Sequence, residues 1–397
     1  MKRRVLAVFL VLVLGLASLP ARAGDFAATP GVSAPTLERM IGQMLIIGFP
    51  GVSISEDWPS RVRCMIHNGE IGGVLLLSRN IVSPRQLRAL TKSLALTGSE
   101  VKPFIMVDQE GGAVQRLTTH KGFRHLPAAQ DVAEMHPLLA FRLYLHQARQ
   151  LAAAGITVNL GPVVDLHINP QNPVIAKLKR SFGKMPSTVI RYARTFIRAH
   201  FDVGVLTAAK HFPGHGSGST DPHEATLNVS NSWKVEELEP FNALMNDPRP
   251  VPMIMVGHQV LVGFSDGDAP ASLSHLAVTQ ILRNELGYPG LIVTDDLEMA
   301  AVRQRYGIEE AVVKAVAAGN DLIIVSNREM PDPYVVARIT AAITVAVARG
   351  EIAEARIRQS YQRILLAKHM IERMLARPQP AFCESRHCFP FWALSAS

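Results

Sequence analysis

Eight short, almost continuously apolar runs recur along this 397-residue chain, each separated from the next by enough residues for a helix. They are residues 43–49, 72–77, 104–108, 157–164, 205–209, 253–256, 291–294 and 321–325. An apolar run of this length with no polar alternate is the pattern of a strand buried on both faces, as parallel sheets covered by helices require. Between the runs, amphipathic patterns predict helices over 84–96, 137–154, 187–203, 235–245, 276–285, 308–318, 333–349 and 352–376. This repeated alternation predicts an α/β architecture, a (β/α)8 TIM-type barrel forming a single domain over residues 37–376. A doubly wound open sheet shares the alternation, but the strand ends favour the barrel. Asp108, Asp165, Lys210-His211, His258 and Asp295-Asp296 each follow directly on an apolar run. In a barrel such C-terminal ends converge on one mouth, where sites are built.

The two ends of the chain read separately. Lys2, Arg3 and Arg4 precede an apolar stretch from Val5 to Leu16, and Ala21-Arg22-Ala23 follows as a small-x-small cleavage signal. Residues 1–23 are therefore expected to be a secretory signal peptide, too short for a membrane span, with no membrane association after its removal. Residues 24–36 are expected to be a linker and 377–397 a C-terminal tail. The leader carries four basic residues and no acid, so its removal lowers the formal charge from +8 to +4. The remaining basic residues are scattered without aromatic interleaving, which argues against nucleic-acid binding. Of three cysteines, Cys383 and Cys388 lie close enough in the tail to close a small disulfide loop in an oxidising compartment, leaving Cys64 as a buried thiol.

The densest polar stretch runs from Lys210 to His223 and contains Lys210, His211, His215, Asp221 and His223. Pro213, Gly214, Gly216 and Gly218 predict a shaped, mobile loop here rather than a helix. Three readings compete. His211, His215, Asp221 and His223 are metal-ligand types, but a glycine-rich loop pre-organises ligands poorly. The Gly214-x-Gly216-x-Gly218 spacing suggests a phosphate cradle, yet no lysine and helix follow it. The third is a dyad in which Asp221 orients and charges His223 as a proton shuttle, and with a carboxylate nucleophile elsewhere it would make a glycosidase.

Three further constellations accompany the loop. Asp108-Gln109-Glu110-Gly111-Gly112 with Arg116 reads as a sugar-gripping carboxylate with a donor fork, or as a turn aspartate in a salt bridge. Arg180, in Lys179-Arg180-Ser181-Phe182-Gly183, reads as part of a substrate wall or as an ordinary surface charge. In Thr294-Asp295-Asp296, Asp295 is placed for nucleophilic chemistry, while Asp296 also suits the N-cap of the following helix.

Together these motifs resemble glycoside hydrolase family 3, and within it the bacterial single-domain β-N-acetylglucosaminidases. The carriers are Lys210-His211-Phe212-Pro213-Gly214-His215-Gly216 followed by Asp221-x-His223, with Asp108-Gln109-Glu110-Gly111-Gly112, Arg180-Ser181-Phe182-Gly183 and Thr294-Asp295-Asp296 in order. The resemblance covers roughly residues 37–374. It implies a (β/α)8 catalytic barrel that hydrolyses terminal β-linked GlcNAc with retention of configuration. Asp295 is implied as nucleophile, and His223 as acid and then base with Asp221 as its partner. Asp108, Arg116, Arg180, Lys210 and His211 are implied as sugar ligands. No cofactor or metal is implied, and the chain is expected to act as a monomer on saccharides derived from peptidoglycan. Two features depart from the family pattern. Pro222 stands where serine is usual, which stiffens the loop, and the expected leader exports a protein whose Gram-negative relatives often work in the cytoplasm. A phosphorylase or glycosidase with another sugar, a metal-dependent hydrolase, and a non-catalytic binder of wall glycans are the alternative functions.

Overall fold

A computed structural model describes residues 35–328 and 330–376. In chain order the strands are β1 (Leu45–Gly48), β2 (Gly73–Leu76), β3 (Phe104–Val107), β4 (Val158–Asn159), β5 (Leu206–Phe212), β6 (Leu227–Asn228), β7 (Met253–Val256), β8 (Gln259–Val260), β9 (Leu291–Thr294) and β10 (Ile323–Val325). Eight of them form one parallel sheet in the order β10-β1-β2-β3-β4-β5-β7-β9. A parallel bridge between Val293 and Leu322 joins its two ends, with Thr294 N donating to Leu322 O at 3.0 Å and Leu297 N to Ile324 O at 3.1 Å. The sheet is a closed barrel, and every apolar run named above supplies one of its strands. The remaining pair, β6 and β8, is a small parallel ladder outside it.

The differences lie at the boundaries. Gln43 and Met44 end a helix, Leu37–Met44, whose N-cap Thr36 accepts from Arg39 N at 3.3 Å. The buried face of that helix merges with the strand, so the apolar run began two residues early. A helix over Asp57–Asn68 was not expected; it buries Pro59, Val62 and Ile66 and ends on Gly69 in the left-handed region. Cys64 is exposed on this helix, not buried. Val62 and Ile66 claim the core-facing positions, and a residue two places on from Val62 points away from them. Residues 276–285 are wound as a π-helix, and 235–245 divide into a 3₁₀ turn and a short α-helix.

The last helix, Glu354–Ala376, seals the end of the barrel opposite the mouth. Buried Lys368 donates to Gln43 Oε1 at 2.7 Å and Gly72 O at 2.8 Å, and lies over the Phe104 ring. Asp321, fully buried just before β10, accepts from Ser360, Arg363 and Arg283, tying this helix to the barrel. Among the described residues no helix is long and apolar enough to cross a membrane. The expected leader, the linker through residue 34, the tail and the Cys383–Cys388 pairing lie outside the described residues.

Candidate active site

The chain leaves β3 through Asp108 and immediately curls back. Gln109 Oε1 accepts from Arg116 N at 2.8 Å and Leu117 N at 2.9 Å, while Asn159 at the end of β4 pairs with both backbone groups of Gln109. Gly111 makes the turn at φ 112°, where a Cβ would also stand 2.2 Å from Pro127 O. The curl returns Arg116 to within 3.4 Å of Asp108 Oδ2.

Charge is concentrated beside it. Lys210 Nζ reaches Asp108 Oδ1 at 2.9 Å and Glu110 Oε1 at 2.6 Å, and Arg180 grips Glu110 with two bonds of 2.8 and 2.9 Å. Arg180 is therefore buried in an ion pair, not a surface charge. Burial alone would raise Glu110, but Arg180 and then Lys210 outweigh it and hold the carboxyl well below the usual range. Asp108 is likewise pushed up by burial and pulled down further by Lys210 and Arg116. Both carboxylates are ionised at neutral pH, and the forked guanidinium explains why arginine rather than lysine stands at 180.

Lys210 and His211 lie near the end of β5, which runs on to Phe212; they belong to the strand, not to a loop. The peptides Lys210–His211 and Phe212–Pro213 are cis. His211 Nδ1 lies 2.7 Å from Asp165 Oδ2, and His215 N donates to Asp165 Oδ1 at 2.9 Å. Residues 213–218 are buried and tied down. Asn172 Nδ2 donates to His215 O, Asn169 Nδ2 to Gly218 O, and Gly216 N to Glu237 Oε2, each at 2.8 Å. The expectation of a mobile loop is thus corrected for its first half: three side chains occupy the polar backbone that glycines left uncovered. Glu237, itself buried, is pushed up to about 7.

Beyond Gly218 the chain emerges. Asp221 Oδ1 accepts from His223 N and pairs with His223 Nδ1, both at 2.8 Å, with 57% of the His223 side chain exposed. Pro222 O accepts from Ala301 N at 3.1 Å and Glu224 O from Gln304 Nε2 at 2.9 Å, so this stretch rests on the turn that follows β9. The polar loop therefore divides. His211 and His215 gather around Asp165, whereas Asp221 and His223 pair apart from them near the surface. The four-residue metal set considered from the sequence is not one cluster. Asp165, His211 and His215 do bring ligand atoms within 4.8 Å of one another. Both Asp165 oxygens already accept hydrogen bonds, however, and the short Asp165–His211 separation is that of a hydrogen bond.

Asp295 ends β9 at the same mouth. Its Oδ1 accepts from Asp296 N at 2.8 Å. Burial opposes its ionisation, but His211, His258 and Lys210 overcome that and hold the carboxyl below its ordinary value. His258 Nε2 lies 2.9 Å from Asp296 O, which can only accept, so the proton sits on Nε2 and Nδ1 accepts from Ser272 Oγ at 2.7 Å. Asp296 does not cap the next helix, whose N-cap is Met299. Its Oδ1 accepts from Ser326 N and Glu298 N instead, joining the β9 and β10 loops, and burial pushes it up to about 6.

Sequence reasoning gave no role to Glu110, Asp165, Glu237 or His258, and weighed His215 only as a metal ligand, although Asp165 and His258 stood at strand ends and Glu110 within a quoted motif. Their partners come from other strands, which spacing along the chain does not reveal.

The profile of the glycosyl hydrolase family 3 N-terminal domain matches residues 36–367. β-Hexosaminidase LpqI of Mycobacterium tuberculosis is 32% identical over 363 residues, covering 88% of this chain and 87% of the relative. A β-hexosaminidase of Alkalilimnicola ehrlichii is 33% identical, covering 73% and 84%. Among solved structures, a family 3 β-N-acetylglucosaminidase from Paenibacillus sp. FPU-7 superposes with a TM-score of 0.79 at 34% identity. That alignment covers 89% of this chain and 65% of the Paenibacillus one. The chain belongs to glycoside hydrolase family 3, a glycoside hydrolase that groups with the family's β-hexosaminidases.

Proposed function

We propose that the protein is an exported, retaining exo-β-N-acetylglucosaminidase that removes terminal β-linked GlcNAc from peptidoglycan-derived saccharides. The observation that carries the reading is the setting of Asp295: a half-buried carboxylate at a barrel strand end, held below its ordinary value with His211, His258 and Lys210 beside it. Such a group is a nucleophile ready at neutral pH. In the first step an Asp295 oxygen bonds to the anomeric carbon as the glycosidic bond breaks. His223 gives its proton to the departing oxygen, with Asp221 orienting the ring. In the second, His223 takes a proton from water, whose oxygen attacks the anomeric carbon and releases Asp295. A histidine held by a carboxylate replaces the second carboxylic acid of most retaining glycosidases.

Asp108, Lys210, Arg180, Arg116 and His211 are assigned to the sugar. Asp108 accepts from hydroxyls, and the cations donate to hydroxyls and the N-acetyl oxygen. The exposed His223 pair closes toward Asp295 when substrate fills the mouth, turning beyond the pinned Gly218, where Ser219 is already exposed. The expected leader supports an exported enzyme and hence wall saccharides as substrate. The relatives named above as hexosaminidases support the sugar.

The test is hydrolysis of p-nitrophenyl β-N-acetylglucosaminide and of the matching β-glucoside, with and without inorganic phosphate, by the wild type and Asp295→Ala. Turnover of the GlcNAc glycoside alone, independent of phosphate and absent from the variant, is expected. Phosphate-dependent release would make the enzyme a phosphorylase. Near-wild-type activity in Asp295→Ala would remove the nucleophile assignment.

A further inference from the structure

Three helices of the barrel wall, Pro84–Ala95, Pro137–Ala153 and Pro186–Phe201, carry eight exposed basic residues and no carboxylate. They are Arg85, Arg88 and Lys92 on the first, Arg142 and Arg149 on the second, and Arg191, Arg194 and Arg198 on the third. The spacing repeats. It is i, i+3, i+7 on the first and third helices and i, i+7 on the second, and residues so spaced share one helix face. That face is turned from the core, because Leu87, Leu90 and Leu94, Tyr144 and Ala148, and Val189 and Phe196 fill the inward positions.

The helices follow β2, β3 and β4 and therefore stand side by side around the barrel. Thr91 Oγ1 donates to Ala154 O at 2.7 Å between the first and second, and the Tyr144 and Phe196 rings meet edge to face, 4.9 Å apart, between the second and third. Each stripe is about 10 Å long, and packed helices lie about 8–10 Å apart. The fold thus gathers into one cationic wall residues that lie scattered along the chain. Little negative charge offsets it. Arg194 pairs with Asp247 at 2.7 Å, and Asp202 lies near Arg198. Arg85, Arg88, Lys92 and Arg191 make no ion pair among the described residues. Across the barrel the signs are mixed: Glu309 and Glu310 stand on the helix Ile308–Ala318, and Glu354 and Glu372 on the last helix.

Such a wall fits a partner with repeated negative charge. The side chains among the cations decide which. Tyr144, Tyr192 and Phe196 are buried, so the wall offers no aromatic platform for nucleic-acid bases. The exposed large apolar residues Val82, Leu96, Leu138, Leu139 and Met185 all lie before or after the stripes, so no apolar anchor stands among the cations to enter a bilayer. Along each stripe, residues three or four apart are separated by about 5–6 Å, close to one sugar residue of an extended chain. Each helix starts beside the mouth, because it follows the C-terminal end of its strand. We propose that this wall binds an acidic polysaccharide and holds the enzyme on a polyanionic glycan while the mouth stays free. The choice of a glycan rests on the reading of an exported enzyme of wall saccharides; the binding itself involves neither Asp295 nor His223.

The experiment is titration calorimetry of the intact protein with polygalacturonate, with dextran as the neutral control. Saturable polygalacturonate binding is expected, weakened at least about tenfold between about 50 and 200 mM salt, and none for dextran. Arg85→Gln, Arg88→Gln and Lys92→Gln combined should weaken it at least about tenfold. The matched triple Lys314→Gln, Arg349→Gln and Arg358→Gln, across the barrel, lowers the net charge equally and should change it less than about twofold. Glutamine is a good helix former, so both triples should keep wild-type melting curves and wild-type hydrolysis of p-nitrophenyl β-N-acetylglucosaminide. A protein that binds polygalacturonate without hydrolysing that glycoside would lose the function proposed above and keep this one. Absence of salt-dependent binding, equal loss in the two triples, or tighter binding of single-stranded DNA or of phosphatidylglycerol vesicles than of polygalacturonate would each overturn the proposal.

Discussion

The Glu110–Arg180 pair sets a quantitative expectation for how this site is held together. The two side chains are 5% and 8% exposed, and they share two bonds of 2.8 and 2.9 Å. Glu110→Gln keeps the shape but leaves Arg180 without its counter-ion and Lys210 with Asp108 alone. Removing one partner of a buried pair costs about 3–5 kcal/mol, because the other charge stays desolvated. For a chain of this size a change of 1 kcal/mol moves the melting temperature by about 2 °C, so the variant should melt ~6–10 °C lower. Arg180→Met should cost a similar amount for the same reason. The double variant removes both charges and should lose less than the two singles together, with a coupling of about 3 kcal/mol. Melting followed by circular dichroism at pH 7 measures all four proteins. The contribution also has a pH signature. Glu110 is depressed below its ordinary value of 4.5, so its stabilisation is complete above that value and is lost as pH falls below it. Wild type and Glu110→Gln should therefore converge in stability as the solution is acidified. A Glu110→Gln melting temperature within about 2 °C of wild type, or strictly additive single effects, would refute the reasoning by showing that Arg180 finds solvent or another partner.

Three other expectations follow from named contacts. His223→Ala should lose about 10²–10⁴-fold in kcat on substrates with poor leaving groups and much less on p-nitrophenyl glycosides, which need little protonation; equal loss on both would remove its acid role. Gly216→Ala places a Cβ 1.7 Å from Leu166 O, so it should displace the 213–218 segment and depress kcat/KM by an order of magnitude or more, read by steady-state kinetics. Burial pushes Lys368 down to about 7 from 10.5, so between those values the folded state has already released a proton that the unfolded chain retains, and stability should rise with pH. Lys368→Met should abolish that rise in melting temperature across the same pH range, and a rise that persisted would place its source elsewhere.

The barrel was legible because its strands are buried on both faces, and that burial writes itself into the chain as uninterrupted apolar runs. Boundaries were less legible where two buried elements abut, as at Gln43–Met44, and the helix 57–68 was missed because its apolar positions are few and interrupted by Arg61 and Arg63. Positions at strand ends also read correctly, since the β/α order alone sends Asp108, Lys210, His211 and Asp295 to one mouth. Partnership did not read. Nothing local says that Arg180 grips Glu110 seventy residues earlier, that Asp165 divides its oxygens between His211 and His215, or that glycines 214–218 lie pinned rather than free. Sequence by itself determined which apolar runs form the buried strands, which residues stand at their ends, and which family they spell, because those properties follow from the order of polar and apolar groups. Only the tertiary structure decided which charges neutralise one another and hence which carboxylates are ionised, because electrostatic energy depends on separations of a few ångströms between strands that the chain visits far apart.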